Sequence, residues 1–218
     1  FKRCDNLESV TIPFTGGYSD YSGSGRSCFS YIFGGDGEVP SAIKTVILTK
    51  GPVAGSAFYN CGDIENITLP SDITEIGGAA FENCTSLKSI TIPDGVTLID
   101  MRAFSGCAGL TQITIPQNVT EIGQFAFYGC EKLVEVYNRS SLVIEKNNKN
   151  GHVGYYAMNI YTDTDGASGF VTTDNGFVFE CINGVYTLVG YTGNLTSVTL
   201  PNGMDEKPYV VRDYAFYG

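Results

Sequence analysis

The sequence predicts a β-rich solenoid with a parallel β-sheet, short helical turns on the side opposite it, and one inserted β-hairpin. Three observations carry that expectation. A phenylalanine recurs every 23 residues, at Phe58, Phe81, Phe104 and Phe127. Each has Ala before it, Cys three residues on (Cys61, Cys84, Cys107, Cys130) and Leu or Ile six residues on. Alternating apolar runs that stop at proline, such as Ser89-Ile90-Thr91-Ile92-Pro93, fall between them. A chain repeating at this period stacks one small unit on the next, because a single unit cannot bury its apolar face alone.

One repeat, Leu87 to Cys107, shows how each part arises. Ile90 and Ile92 alternate with Ser89 and Thr91, the period of a strand with one dry and one wet face. Pro93 ends the strand because it has no N–H for the ladder. Asp94-Gly95 makes a turn, Val96 and Ile99 bring apolar atoms back inside, and Ala103-Phe104 with Cys107 place small, large and small groups on one short helical turn. Strand starts at Leu7, Ile43, Ile64, Leu87, Leu110, Leu133 and Leu195 predict seven parallel rungs at about 4.8 Å in one continuous sheet. Its outward positions are Ser9, Thr11, Thr45, Asn66, Thr68, Ser89, Thr91, Gln112, Thr114, Glu135, Ser197 and Thr199, a short-chained and nearly uncharged face. The Phe column reads as a stacked spine. The Ala column (Ala57, Ala80, Ala103, Ala126, Ala215) allows close approach, and Gly77 and Gly123 are expected in the left-handed backbone region.

The period breaks twice. Residues 14–42 form a Gly-, Ser- and Tyr-rich interruption. Residues 138–194 form a longer one that contains Phe177 to Val189, two alternating runs joined by Asn183-Gly184, the signature of a β-hairpin. The whole, 1–218, reads as a single array that contains both interruptions. Both termini cut through a repeat, which predicts an excerpt of a longer array flanked by whatever signal or anchor it carries. Tyrosines gather in the breaks, among them Tyr18, Tyr21, Tyr155 and Tyr156. Tyr mixed with Gly, Ser and Asn suits recognition loops, and equally suits padding of the hairpin. The candidate ligand-binding residues are therefore Tyr18, Tyr21, Tyr155 and Tyr156 with Thr68, Thr91 and Thr114 of the sheet face.

Composition and motif chemistry narrow the function classes. Thirteen basic against 23 acidic side chains leave a net charge of -10, unsuited to phosphate neutralisation on nucleic acid or anionic lipid. No run reaches the ~20 apolar residues of a membrane helix, and Phe1 opens no basic-then-apolar leader. Seven cysteines lack both disulfide pairing logic and zinc-ligand spacing, and read as buried free thiols that suit a reducing or anaerobic setting. His152 is the one histidine, without a serine elbow nearby, and reads as a solvated loop residue. Asp163-Thr164-Asp165-Gly166 lacks the terminal carboxylate of a calcium loop and reads as a turn. Glycan acceptor triplets at Asn66, Asn83, Asn118, Asn138 and Asn194 read as by-products of Thr-rich repeats. No cofactor, metal or catalytic set is expected.

The string Ala80-Phe81-Glu82-Asn83-Cys84-Thr85-Ser86-Leu87-Lys88-Ser89-Ile90-Thr91-Ile92-Pro93, repeated at Phe104 to Pro116, resembles the BspA-like leucine-rich repeat of bacterial surface proteins. The breaks at Tyr31-Ile32-Phe33-Gly34 and Leu188-Val189-Gly190-Tyr191-Thr192-Gly193 are similar to insertions in such proteins from anaerobic gut bacteria. The resemblance implies a leucine-rich repeat right-handed superhelix, a secreted or cell-surface location, and noncatalytic adhesion to host or bacterial surface proteins. A carbohydrate-binding module and a passive spacer are the alternatives.

Overall fold

The computed structural model describes residues 4–13, 29–35, 38–162, 169–173, 176–182, 185–192, 199–200, 209–212 and 215. The chain divides into two compact units, 1–162 and 163–218. Unit 1 is a parallel solenoid of about six coils, as the column spacing predicts. Strands β1 (Ser9–Ile12), β2 (Thr45–Leu48) and β3 (Asn66–Thr68) form one parallel ladder with Val10, Val46 and Ile67 in register. Strands β4 (Glu75–Ile76) and β5 (Leu98–Ile99) belong to a second, narrow sheet that β7 (Glu121–Ile122) completes. The sequence reading had only a return of apolar atoms there. Two residues per strand leave no alternation to read.

The predicted continuous face is carried on by β6 (Gln112–Ile115), β8 (Glu135–Asn138) and β9 (Asn159–Thr162), again parallel. Between β3 and β6 the rung Ser89–Ile92 keeps Ile90 and Ile92 buried but forms no regular ladder, so one sheet becomes two three-stranded ones. The pairing of β9 with β8 shows the array running one coil past residue 138. The rung expected at Leu195 lies outside the described residues.

On the side opposite the face, the expected helical turns are tighter than helices. Alternate residues do two different jobs. The N–H groups of Phe58, Phe81 and Phe104 donate to Ala80, Ala103 and Ala126 of the next coil at 2.6–2.7 Å. Those of Ala57, Tyr59 and Cys61 close three-residue turns onto Ala54, Ser56 and Phe58. A helix would spend every donor within its own coil, whereas this arrangement ties each coil to the next while leaving no donor unmade. The geometry requires a left-handed backbone two residues before and two after each Phe, at Ser56 and Asn60, Ala79 and Asn83, Arg102 and Gly106, and Phe125 and Gly129. Gly77 and Gly123, expected left-handed, are not among the positive-φ residues. Their role is close approach: a Cβ on Gly77 would lie 2.5 Å from Gly55 N, and one on Gly123 would strike Met101 N.

The Phe column is a stacked spine. Ring centroids of Phe58, Phe81, Phe104 and Phe127 are 5.5, 5.1 and 5.1 Å apart, with interplanar angles of 8, 14 and 16°. Phe29 heads the column, 5.1 Å from Phe58, and its N–H donates to Ala57 as Phe58 donates to Ala80. The first interruption thus closes the coil that β1 opens, hidden because its Phe is 29 residues from the next. Cys84, Cys107 and Cys130 are fully buried free thiols, as expected, and do more than fill space. Each Sγ–H donates to the carbonyl of a Phe in the coil before, Phe58, Phe81 and Phe104, at 3.1–3.2 Å. Cys28 and the side chain of Cys181 lie outside the described residues.

Unit 2 contains the predicted hairpin: β11 (Phe177–Ile182) pairs antiparallel with β12 (Val185–Tyr191), flanked by β10 (Gly169–Thr172) and β13 (Tyr209–Val211). The connecting Asn183-Gly184 lies outside the described residues, as does Asp163-Thr164-Asp165-Gly166. Phe177, Phe179, Leu188 and Ala215 form its core. β13 runs parallel to β12, with Arg212 N–H donating to Leu188 and Ala215 N–H to Arg212. Those bonds repeat the Asp100-to-Ile76 and Ala103-to-Asp100 pattern of unit 1.

Truncating Phe104 to Ala removes a fully buried ring with neighbours on both faces. Denaturant titration should show a loss of about 3–5 kcal/mol. The thiols give a second test. Burial raises the pKa of Cys130 from 9.0 to about 12, with the Cys107 backbone partly opposing. Above pH 9 the unfolded thiol ionises while the native one does not, so the stability it contributes is full below 9 and is lost as pH rises toward 12. Thermal melts should fall more steeply over that range in wild type than in Cys130→Ala; parallel slopes would contradict it.

Candidate functional site

Two surfaces of unit 1 collect the candidate residues. The first is the sheet face. Register places Thr11, Ile47 and Thr68 in one column and Ser9, Thr45 and Asn66 in the neighbouring one. Thr68, Thr91 and Thr114 are all exposed and occupy the same column position in successive coils. The three threonines named from sequence are thus exposed at 23-residue intervals on successive coils. Thr suits such a site because its branched side chain has little rotamer freedom to lose on a pleated surface.

The face is not uniform. Ile47 is 37% exposed and interrupts the polar column with an apolar side chain. At β8 the face is covered: Glu135, Tyr137 and Asn138 are buried, against the expectation of an outward, solvated Glu135. Asn159 Nδ2 donates to Glu135 Oε1 at 2.7 Å. Tyr137 and Tyr161 stack at 4.9 Å in the column that Thr114 begins. The open part accordingly runs from Thr11 to Thr114. Ion pairs on its flank, Lys44 with Asp63 and Lys88 with Glu65, are exposed and contribute little stability.

The second surface is on the turn side. Tyr155 and Tyr156, named from sequence, meet at 4.9 Å edge to face. They are joined by three rings that sequence reading missed. His152 contacts Tyr155 at 5.6 Å, Phe125 at 5.5 Å and Tyr128 at 5.5 Å. Phe125 and Tyr128 meet at 5.8 Å. His152 is therefore not a solvated loop residue. It sits half-buried in a 3-10 turn (Asn150–His152), and its Nδ1 is buried without a hydrogen-bond partner among the described residues. Tyr128 and Tyr155 remain 55% and 52% exposed. A signal existed in the sequence: Phe125 and Tyr128 are three apart, and the 25th residue after Phe127 is His152. Only the coil-to-coil bond from Phe127 N–H to Gly151 brings the two segments into alignment.

Electrostatics on this surface centre on three charged groups. Arg102 bridges Glu82 at 3.6 Å, and its guanidinium lies 6.0 Å over the Phe125 ring. Burial pushes the Glu82 carboxyl up, with Arg102 partly opposing. The Tyr156 hydroxyl is also pushed up, by burial first and then by Glu131. Tyr18 and Tyr21 lie outside the described residues. Among the acceptor asparagines, Asn83 donates to Asn60, Asn118 to Asp94 and the buried Asn138 to Leu142, so their amides have structural work. Asn194 lies outside the described residues. Among the described residues no group of His, Cys, Asp and Glu could hold a metal ion, and no helix is long and apolar enough to cross a membrane.

Comparison with known proteins bears on the repeat rather than on either surface. A leucine-rich repeat protein from Bacteroides ovatus is 24% identical over 70% of this chain and 39% of its own, with a TM-score of 0.48. A leucine rich cell surface protein from Faecalibacterium prausnitzii is 25% identical over 93% of this chain and 60% of its own, also at 0.48. The leucine-rich repeat protein of T. pallidum is 31% identical over 43% of this chain and 57% of its own, at 0.36. The chain thus spans less than two thirds of the length of each. No curated protein matches it. The family model for the BspA type leucine rich repeat region matches residues 53–149 in six copies. That match falls on the stretch that carries the stacked Phe, Ala and Cys columns, which is therefore similar to a BspA type leucine rich repeat region.

Proposed function

We propose that this chain is a noncatalytic protein-binding module of a secreted or cell-surface bacterial protein, which adheres to protein on host or neighbouring cells. The carrying observation is the open column Thr68, Thr91 and Thr114, exposed at the same position of three successive coils. A rigid row of short, uncharged side chains offers hydrogen-bond donors and acceptors at rung spacing with little ordering cost on binding. The leucine-rich repeat assignment supports the same reading, since extended solenoid surfaces serve as binding surfaces. The printed description of the Faecalibacterium protein as a cell surface protein supports the location.

The test is retention of immobilised matrix proteins and of intact bacterial cells by the chain and by a Thr68→Arg, Thr91→Arg, Thr114→Arg triple variant. Exposed substitutions of this kind leave stability within about 0.5 kcal/mol each. Binding should fall at least tenfold with melting temperature little changed. Undiminished binding by the triple variant would remove the sheet face from the account, and no retention of any protein by wild type would remove the function.

A further inference from the structure

We propose that the aromatic patch of Phe125, Tyr128, His152, Tyr155 and Tyr156 is a docking site for an arginine or lysine side chain of a protein partner. The inference rests on the protein-binding reading above and names the partner chemistry for a second surface.

Five rings in unbroken contact are an unusual thing to leave in water. Two of them, Tyr128 and Tyr155, are more than half exposed. Core padding does not account for the cluster, because the spine of Phe29, Phe58, Phe81, Phe104 and Phe127 is complete without it. Backbone conformation points the same way. Phe125 holds a φ of 60°, a region that disfavours bulky residues, where the equivalent positions carry Ser56, Ala79 and Arg102. A strained aromatic at a surface position marks a site held for something other than local stability.

Charge selects the occupant. The patch already receives one guanidinium: Arg102 lies 6.0 Å over Phe125, the arrangement in which a cation is attracted by the negative face of a ring. Glu131 acts on the adjoining Tyr156, and the chain as a whole carries a net charge of -10. The exposed rings of Tyr128 and Tyr155 therefore offer a cation the faces that Arg102 leaves open, inside a field that draws cations from solution. Lys132, next to Glu131 in sequence and also exposed, offsets part of that charge.

The experiment uses the whole chain and two synthetic peptides, one with two arginines separated by glycine and its citrulline counterpart, which has the same shape without charge. Binding is followed by fluorescence anisotropy of labelled peptide in low and moderate salt. The arginine peptide should bind at least tenfold more tightly than the citrulline peptide. Tyr128→Ala and Tyr155→Ala should each weaken it about fivefold at unchanged net charge. Tyr155→Leu keeps apolar bulk but loses the ring face, and should weaken it as much; melting curves verify that each variant is folded. Equal affinity of wild type and ring variants would show that the net charge alone attracts the peptide and would overturn the site. Equal affinity for citrulline, or displacement by a neutral chitin oligosaccharide, would overturn the cation and point to a sugar platform. If ring variants bind the peptide normally while the threonine variant abolishes protein retention, this site fails and the module's function stands.

Discussion

Alternate backbone donors on the turn side decide what the rest of the molecule can be. Phe58, Phe81 and Phe104 send their N–H groups to the next coil, while the residues between them close turns within their own. This division fixes the vertical step between coils, and the step brings each Phe ring to about 5 Å from the next. The rings and the backbone are thus two expressions of one constraint. Changing the step would cost both the interior stacking and the coil-to-coil bonds, which is why the Cys Sγ–H groups, reaching back to Phe carbonyls 26 residues earlier, fit the same spacing.

The surfaces inherit that step. The exposed threonines recur because the coils repeat the spacing of the spine, and their run ends where β8 is buried on both faces. The aromatic patch follows from the left-handed positions that the turns require. Phe125 stands at such a position, and the coil-to-coil bond from Phe127 to Gly151 lays His152 against it. Function in both proposals is therefore a property of coil alignment more than of any single loop.

Most of this architecture was legible because identical side chains recur at a fixed spacing. The Phe, Ala and Cys columns, the inward Ile pairs and the outward threonines all stand where that period put them. Elements that break the period were not legible. Phe29 belongs to the spine but arrives after an interruption, and the coil through Asn150–His152 carries neither the Phe nor the Cys. The narrow sheet of Glu75–Ile76, Leu98–Ile99 and Glu121–Ile122 is too short to alternate. Gly77 and Gly123 were recognised as special for the wrong reason, since glycine serves close packing as well as positive φ, and sequence does not separate the two. Of the candidate site, the threonines were found because they are periodic. The Phe125–Tyr128–His152 cluster was missed because its members meet only through stacking of successive coils.

The most direct measurement of the central claim is a pair of double-mutant cycles in the spine, by denaturant unfolding of leucine substitutions. Stacking of successive coils predicts a coupling of about 0.5–1.5 kcal/mol between neighbouring Phe81 and Phe104. It predicts additivity within about 0.5 kcal/mol for Phe58 and Phe127, which the stack holds three steps apart. Additivity at Phe81 and Phe104, or equal coupling in both pairs, would contradict it.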